Sequence, residues 1–350
     1  MFPDFRYLIY GLSGYFPPDW VGVLKTFGAM VAMAFLAATW VISQELKRKE
    51  KLGLIPPTKD SKTGQLVWAH QRISEIVMIA AVGGLVGAKI FNAFETWDDF
   101  IRDPIGSLFS RSGLTFYGGF LVATAVFYYF AKKHKIPFAH LCDSAAPAIM
   151  LAYGIGRLGC QLAGDGDWGI YNSAYITNAQ GQLQQVSQAD GKAALLHYHD
   201  LFHFDTTAIY APAPSWAPNW LWAQNYPRNV GNEGIRLPEC IHPDYCSVLP
   251  VGVFPTPVYE IIVCIALFAL LWAYRRRLKR PWQMFGLYLF LNGLERFFVE
   301  KIRVNFKYDW GFLHPTQAEI IAVCLMVAGV LLFVSANKKN EVDTAEPAAV

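Results

Sequence analysis

The sequence predicts an all-α integral membrane protein of about seven transmembrane helices, with an extracytoplasmic subdomain between the fourth and fifth. Three observations lead there. Of 350 residues, 54% are hydrophobic and only 16% are charged. The mean hydropathy is +0.26, high for a soluble chain. The apolar residues also gather in runs near the ~20 residues that a helix needs to cross a bilayer. A net charge of +3 is too small to point to nucleic acid.

The expected spans are Val21–Ser43, Ile73–Phe94, Gly113–Ala131, His140–Ile155, Val258–Tyr274, Trp282–Phe298 and Thr316–Ser335, the fourth and fifth being short. Met1–Trp20 lacks a basic start, an apolar core and a small-residue cleavage site, so no cleavable signal is expected. Basic connections alternate: "ELKRKEKLG" follows the first span, "AKKHK" the third and "YRRRLKR" the fifth. Positive charge stays on the cytoplasmic side. The N-terminus and 164–250 are therefore expected outside, and the C-terminus, with a disordered tail at 338–350, inside. This divides the chain into 1–163, the outer subdomain 164–250, 251–337 and the tail. The outer connection "EKIRVNFKYDWG" breaks the rule with Lys301, Arg303 and Lys307. That charge is either incidental or functional.

The outer region is too long for a simple loop. Its stretch "PSWAPNWLWAQNYP" suits either the lipid headgroup layer or the interior of a small subdomain. Cys240 and Cys246, in "PECIHPDYCSVLP", are candidates for a disulfide on an oxidising side; zinc binding with His242 is the weaker alternative. Cys142, Cys160, Cys264 and Cys324 read as small apolar residues.

Charged residues at membrane depth carry the functional signal, because they are costly there. "YGIGRLGCQLAGDGDWG" sets Arg157 among glycines, ahead of Asp165 and Asp167. In "NGLERFFVEKIRVN", Arg296 and Glu300 are four residues apart and share a helical face. Glu260 opens the fifth span and Glu319 the seventh. Each alone reads as a snorkelling side chain or an ion pair between helices. Together, two arginines near one face, each with an acid to direct it (Asp165 for Arg157, Glu300 for Arg296), suit an anionic headgroup. Arg303, closer to water, reads as a surface cation.

These motifs, with "FPTPVYE" and "LTFYGGFLVA", resemble the bacterial prolipoprotein diacylglyceryl transferases, in matching order along most of the chain. The resemblance implies transfer of diacylglyceryl from phosphatidylglycerol to the thiol of a lipobox cysteine on a prolipoprotein, with glycerol phosphate leaving, in the bacterial inner membrane. It implies that Arg157 and Arg296 hold the phosphate and that Glu300 orients Arg296. Gly118, Gly119 and Gly169 would let backbone or lipid pass closely, with Asp165 and Glu260 lining the substrate site. The partners implied are phosphatidylglycerol, lipobox peptides and membrane lipids. No cofactor or metal is called for.

Departures from the pattern are specific. Tyr117 stands where the family has histidine, Cys160 and Ala163 where it has asparagines, Asp165 where it has glutamate, and Phe27–Gly28 where it has tyrosine–glycine. The proton acceptor is left open among Tyr117, Glu300 and the lipid phosphate. The competing readings are a divergent or inactive homologue that binds an anionic lipid, and a transporter. A transporter is disfavoured by the lack of internal repeats and by charges at one face rather than midplane. A retinal receptor lacks its lysine, since Thr316–Ser335 contains none.

The topology is testable with single cysteines at Gln184 and Asn340. An impermeant thiol reagent should label the first from outside and the second only from the cytoplasmic side. Outside labelling of both would refute the assignment.

Overall fold

A computed structural model describes residues 1–60, 64–110, 115–202, 207–311 and 313–345. The first two residues of the expected third span, and 346–350 of the tail, lie outside these. The elements that build the site are helices α1 (Phe5–Ser13), α2 (Thr26–Lys51), α3 (Ile73–Glu95), α4 (Phe116–Lys133) and α5 (Phe138–Ala163), then strand β1 (Tyr171–Thr177). Strand β2 (Leu183–Gln185), helix α6 (Gln188–Phe202), strands β3 (Ala208–Ile209) and β4 (Val251–Val253), and helices α7 (Thr256–Tyr274), α8 (Gln283–Glu300) and α9 (Gln317–Ala345) follow.

Among the described residues, five helical segments are long and apolar enough to cross a membrane: Thr26–Lys51, Ala69–Glu95, Phe138–Ala163, Thr256–Tyr274 and Gln317–Asn337. α4 and α8 do not meet that measure. α4 includes tyrosines and ends in Lys132 and Lys133; α8 carries Glu295, Arg296 and Glu300.

The fourth span was expected to stop at Ile155, before the glycine-rich signature. Instead α5 continues to Ala163 and ends on Gly164, whose φ of 65° is left-handed, with its N–H donated to the Cys160 carbonyl. Arg157 therefore lies inside the helix, not after it. Two of the glycines around it serve packing: a Cβ at Gly154 would meet Cys264 of α7 at 3.0 Å, and one at Gly159 would meet Met30 of α2 at 3.1 Å. Pro147 lies within α5 without ending it, as neighbouring helices allow in membrane bundles. The tail also differs from expectation, since α9 stays helical through Ala345.

α3 and α4 pack through small residues. A Cβ at Gly118 would stand 2.5 Å from the Gly87 carbonyl oxygen, and one at Gly119 would stand 3.1 Å from that of Gly84. Such close approach gains dispersion where lipid offers no hydrophobic drive. At the opposite end of the bundle, Glu45 binds Arg48 at 2.5 Å and Arg275 at 3.4 Å, joining α2 to the end of α7. Asp143 of α5 caps α8 from outside: its carboxylate accepts the N–H groups of Trp282 (2.9 Å) and Phe285 (2.8 Å).

The region between α5 and α7 contains a small sheet, which the all-α reading did not include. β1 pairs antiparallel with β2 (Tyr175 opposite Gln185), parallel with β3 (Tyr171 opposite Ala208), and antiparallel with β4 (Tyr171 opposite Val253). Trp168, Tyr171, Tyr226, Leu249 and Val253 form its core. The Trp-rich stretch is divided: Trp216 is 78% exposed and Trp220 56%, while Ala223 and Tyr226 of the same stretch are buried. Cys240 and Cys246 are joined in a disulfide, with Cα atoms 5.5 Å apart. The loop they close is tied to α1 through buried Arg6, which pairs with Asp4 at 2.8 Å, Asp19 at 2.9 Å and Asp244 at 3.2 Å.

The α3–α4 contact gives a stability prediction. Gly118→Val should overpack it and cost about 1–3 kcal/mol, lowering the unfolding midpoint in detergent. Gly28→Ala, where nothing lies within 4 Å of the added Cβ, should be neutral or stabilising. Equal midpoints for the two variants would refute this packing role.

Candidate functional site

Four segments deliver charge to one place. α5 brings Tyr153 and Arg157, one helical turn apart. The loop after α5 brings Asp167, α7 brings Glu260 from its first turns, and α8 with the segment after it brings Arg296, Glu300 and Arg303.

Glu260 is at the centre and has no solvent exposure. Its carboxylate lies 3.1 Å from Arg157 Nε, 3.6 Å from Arg296 Nη1 and 3.8 Å from Arg303 Nη1. The Tyr153 hydroxyl donates to it at 2.6 Å and in turn accepts from Arg157 Nη2 at 3.2 Å. Three guanidiniums would repel one another in such a place; the buried carboxylate holds them together. Glu300 binds Arg296 at 2.9 Å and accepts from the Asn305 amide at 2.6 Å.

The acid on Arg157 is Asp167, not the expected Asp165. Asp167 bonds Arg157 through one oxygen and Arg303 through the other, the latter at 2.6 Å. Burial pushes the Asp167 carboxyl up, but Arg157 and Arg303 more than reverse this and hold it below the usual carboxylate range. Its stabilising pairs are therefore fully present at neutral pH and are lost as pH falls through that lowered value. Asp165 is exposed and lies beside Cys160. Cys160, Asp165 and Asp167 place one thiol and two carboxylates within 4.8 Å of one another, but both Asp167 oxygens already serve arginines.

Arg303 is a further correction. It was expected at the surface, yet its side chain is 12% exposed and belongs to the cluster. Backbone pairing holds it there: Gly169 bridges to Arg303, and the Ile170 N–H donates to the Ile302 carbonyl at 2.8 Å. A Cβ at Gly169 would stand 2.6 Å from that carbonyl oxygen, so Gly169 serves this protein–protein approach. Gly118 and Gly119 likewise face α3. Tyr117 is 42% exposed on the first turn of α4.

Two donors in the cluster stand out. Arg157 Nε and Arg303 Nη1 are buried and have ion-pair contacts but no hydrogen bond of good geometry among the described residues. Buried donors are normally satisfied, so these have capacity for an acceptor.

The family model described as prolipoprotein diacylglyceryl transferase matches residues 21–335. The chain belongs to that family. Among curated relatives, a Leptospira interrogans phosphatidylglycerol--prolipoprotein diacylglyceryl transferase is 32% identical over 46% of this chain and 52% of its own length, so the match spans about half of that relative. Relatives of the same name from Dehalococcoides mccartyi (23% identical; 91% of this chain, 92% of the relative) and Pseudomonas aeruginosa (24%; 94% and 95%) match nearly end to end. Sequence reasoning overlooked Tyr153, one turn from Arg157 in the signature, and of the two acids after Arg157 it chose Asp165 over Asp167 as its partner.

The cluster predicts that Glu260→Ala, which strands buried arginines, destabilises the fold by about 3–5 kcal/mol. Glu260→Gln keeps an acceptor for Tyr153 and should cost less. Chemical unfolding of both variants checks this; indifference of the fold to Glu260→Ala would remove Glu260 from the centre.

Proposed function

We propose that this membrane protein transfers the diacylglyceryl group of phosphatidylglycerol to the thiol of a prolipoprotein lipobox cysteine, releasing glycerol phosphate. One observation carries the reading: three arginines converge on one buried carboxylate while two of their buried N–H groups lack a hydrogen bond. Family membership and the printed names of the relatives support the same chemistry.

In this scheme the acceptor thiolate attacks the glyceryl carbon next to the phosphate. The new bond is C–S, and the C–O bond to phosphate breaks with its electron pair leaving on the phosphate oxygen. Negative charge therefore grows on the phosphate. Arg157, Arg296 and Arg303, already fixed by Glu260, Glu300 and Asp167, meet that charge with little reorganisation in a site poor in water. The thiol proton goes to the departing phosphate, which gains a charge as it leaves. The nucleophile belongs to the prolipoprotein, so no nucleophile from this chain is needed. Tyr117 has no part in this scheme.

We place the cluster at the outer leaflet of the bacterial inner membrane, with 164–250 as the extracytoplasmic subdomain and the C-terminus in the cytoplasm. Support comes from the basic residues at the other end of the helices, namely Lys47–Lys51, Lys132–Lys135 and Arg275–Arg280.

Replacing Arg157, Arg296 or Arg303 by lysine keeps the charge but loses the fork that suits a phosphate. Each variant should transfer labelled diacylglyceryl to a lipobox peptide at least about tenfold more slowly, equivalent to about 1.4 kcal/mol of barrier. Near wild-type rates in all three, with normal membrane insertion, would show that these arginines are not the phosphate clamp.

A further inference from the structure

Glu295 precedes Arg296 in α8, and the reaction as described does not use it. Its side chain is buried, with the residue only 5% exposed, and neither carboxylate oxygen has a hydrogen-bond partner among the described residues. An unsatisfied buried carboxyl is costly and calls for an explanation. Glu260 of α7, Arg157 of α5, its neighbour Arg296, and Arg303 are near enough to act on it electrostatically. Tyr153 of α5 and Cys264 of α7 are within the same electrostatic reach. None of these is hydrogen-bonded to it, and the nearby guanidiniums are engaged by Glu260, Glu300 and Asp167.

The neighbourhood thus divides its labour. Arginine N–H groups supply donors for a phosphate, and an empty pair of acceptors stands beside them. A ligand that fits both halves carries a phosphodiester and, a few bonds away, hydroxyl groups that donate. The headgroup of phosphatidylglycerol has this form: its terminal glycerol bears two hydroxyls next to the phosphate. We propose that Glu295 accepts hydrogen bonds from the headgroup hydroxyls and so sets the preference for a polyol headgroup over other phosphodiester lipids. This rests on the reading of the cluster as a phosphatidylglycerol site. A site built to hydrogen-bond a hydroxyl rejects the analogue that lacks it, because its own polar group is then left unpaired.

The test compares phosphatidylglycerol with phosphatidylethanol, which has the same phosphodiester and no headgroup hydroxyl. Both lipids compete for the purified full-length protein, and bound lipid is read by native mass spectrometry. The wild-type protein should prefer phosphatidylglycerol by about tenfold, the size expected for a hydrogen bond to a charged group. In Glu295→Gln and Glu295→Leu the ratio should fall toward one. A purely structural role would weaken both lipids together and leave the ratio unchanged, so a ratio preserved in the variants overturns the proposal. Equal binding of the two lipids by the wild-type protein overturns it without any variant. Transfer to a lipobox peptide is scored on the same wild-type preparation. Absence of transfer alongside a tenfold ratio would sink the proposed activity and leave the Glu295 assignment standing; transfer without the preference would do the reverse.

Discussion

A carboxylate with no access to water has to be neutralised where it stands. Glu260 meets that demand with Arg157, Arg296 and Arg303. The requirement is mutual, because three guanidiniums could not gather at this depth without an anion between them. Since these groups come from α5, α7, α8 and the segment after α8, satisfying one buried charge also fixes how those elements meet. Asp167 and Glu300 complete the arrangement from the outer side.

The small sheet is part of the same construction. The turn from α5 into β1 carries Asp167, and Gly169 leaves room for the chain carrying Ile302 and Arg303 to lie against it. The Thr256 hydroxyl donates to the Asp167 carbonyl at 2.6 Å, which locks the start of α7 to the same turn. The region between α5 and α7 therefore forms one wall of the cluster. Its disulfide loop is held in turn by Arg6 and the N-terminal helix, so the first residues of the chain support a region more than two hundred residues away.

Polar groups at the opposite end have a different task. Glu45 joins α2 to α7, and Asp143 supplies acceptors to the start of α8, whose first N–H groups have no partner within the helix. By fixing where α8 begins, Asp143 helps to set the depth at which Arg296 and Glu300 emerge. Residues far from the signature thus bear on the geometry of the arginines.

Much of this was legible in the sequence. Apolar runs of membrane length marked the bundle, because a bilayer imposes length and composition directly on a helix. The Arg296–Glu300 pair could be read from its spacing, since residues four apart in a helix share a face. The position of Arg157 among glycines marked one side of the cluster. Tertiary structure alone decided the rest. Gly154 and Gly159, which looked like a helix end, proved to be contact points, because packing against α7 and α2 repaid their poor helix propensity. Asp167 was chosen over Asp165 by the direction of the turn after Gly164. Arg303 became an interior residue through a backbone bridge to Gly169, a pairing across more than a hundred residues that no local pattern encodes. Glu260 and Glu295 are both acids on apolar helices. Only the fold surrounded the first with arginines and left the second with no hydrogen-bond partner among the described residues.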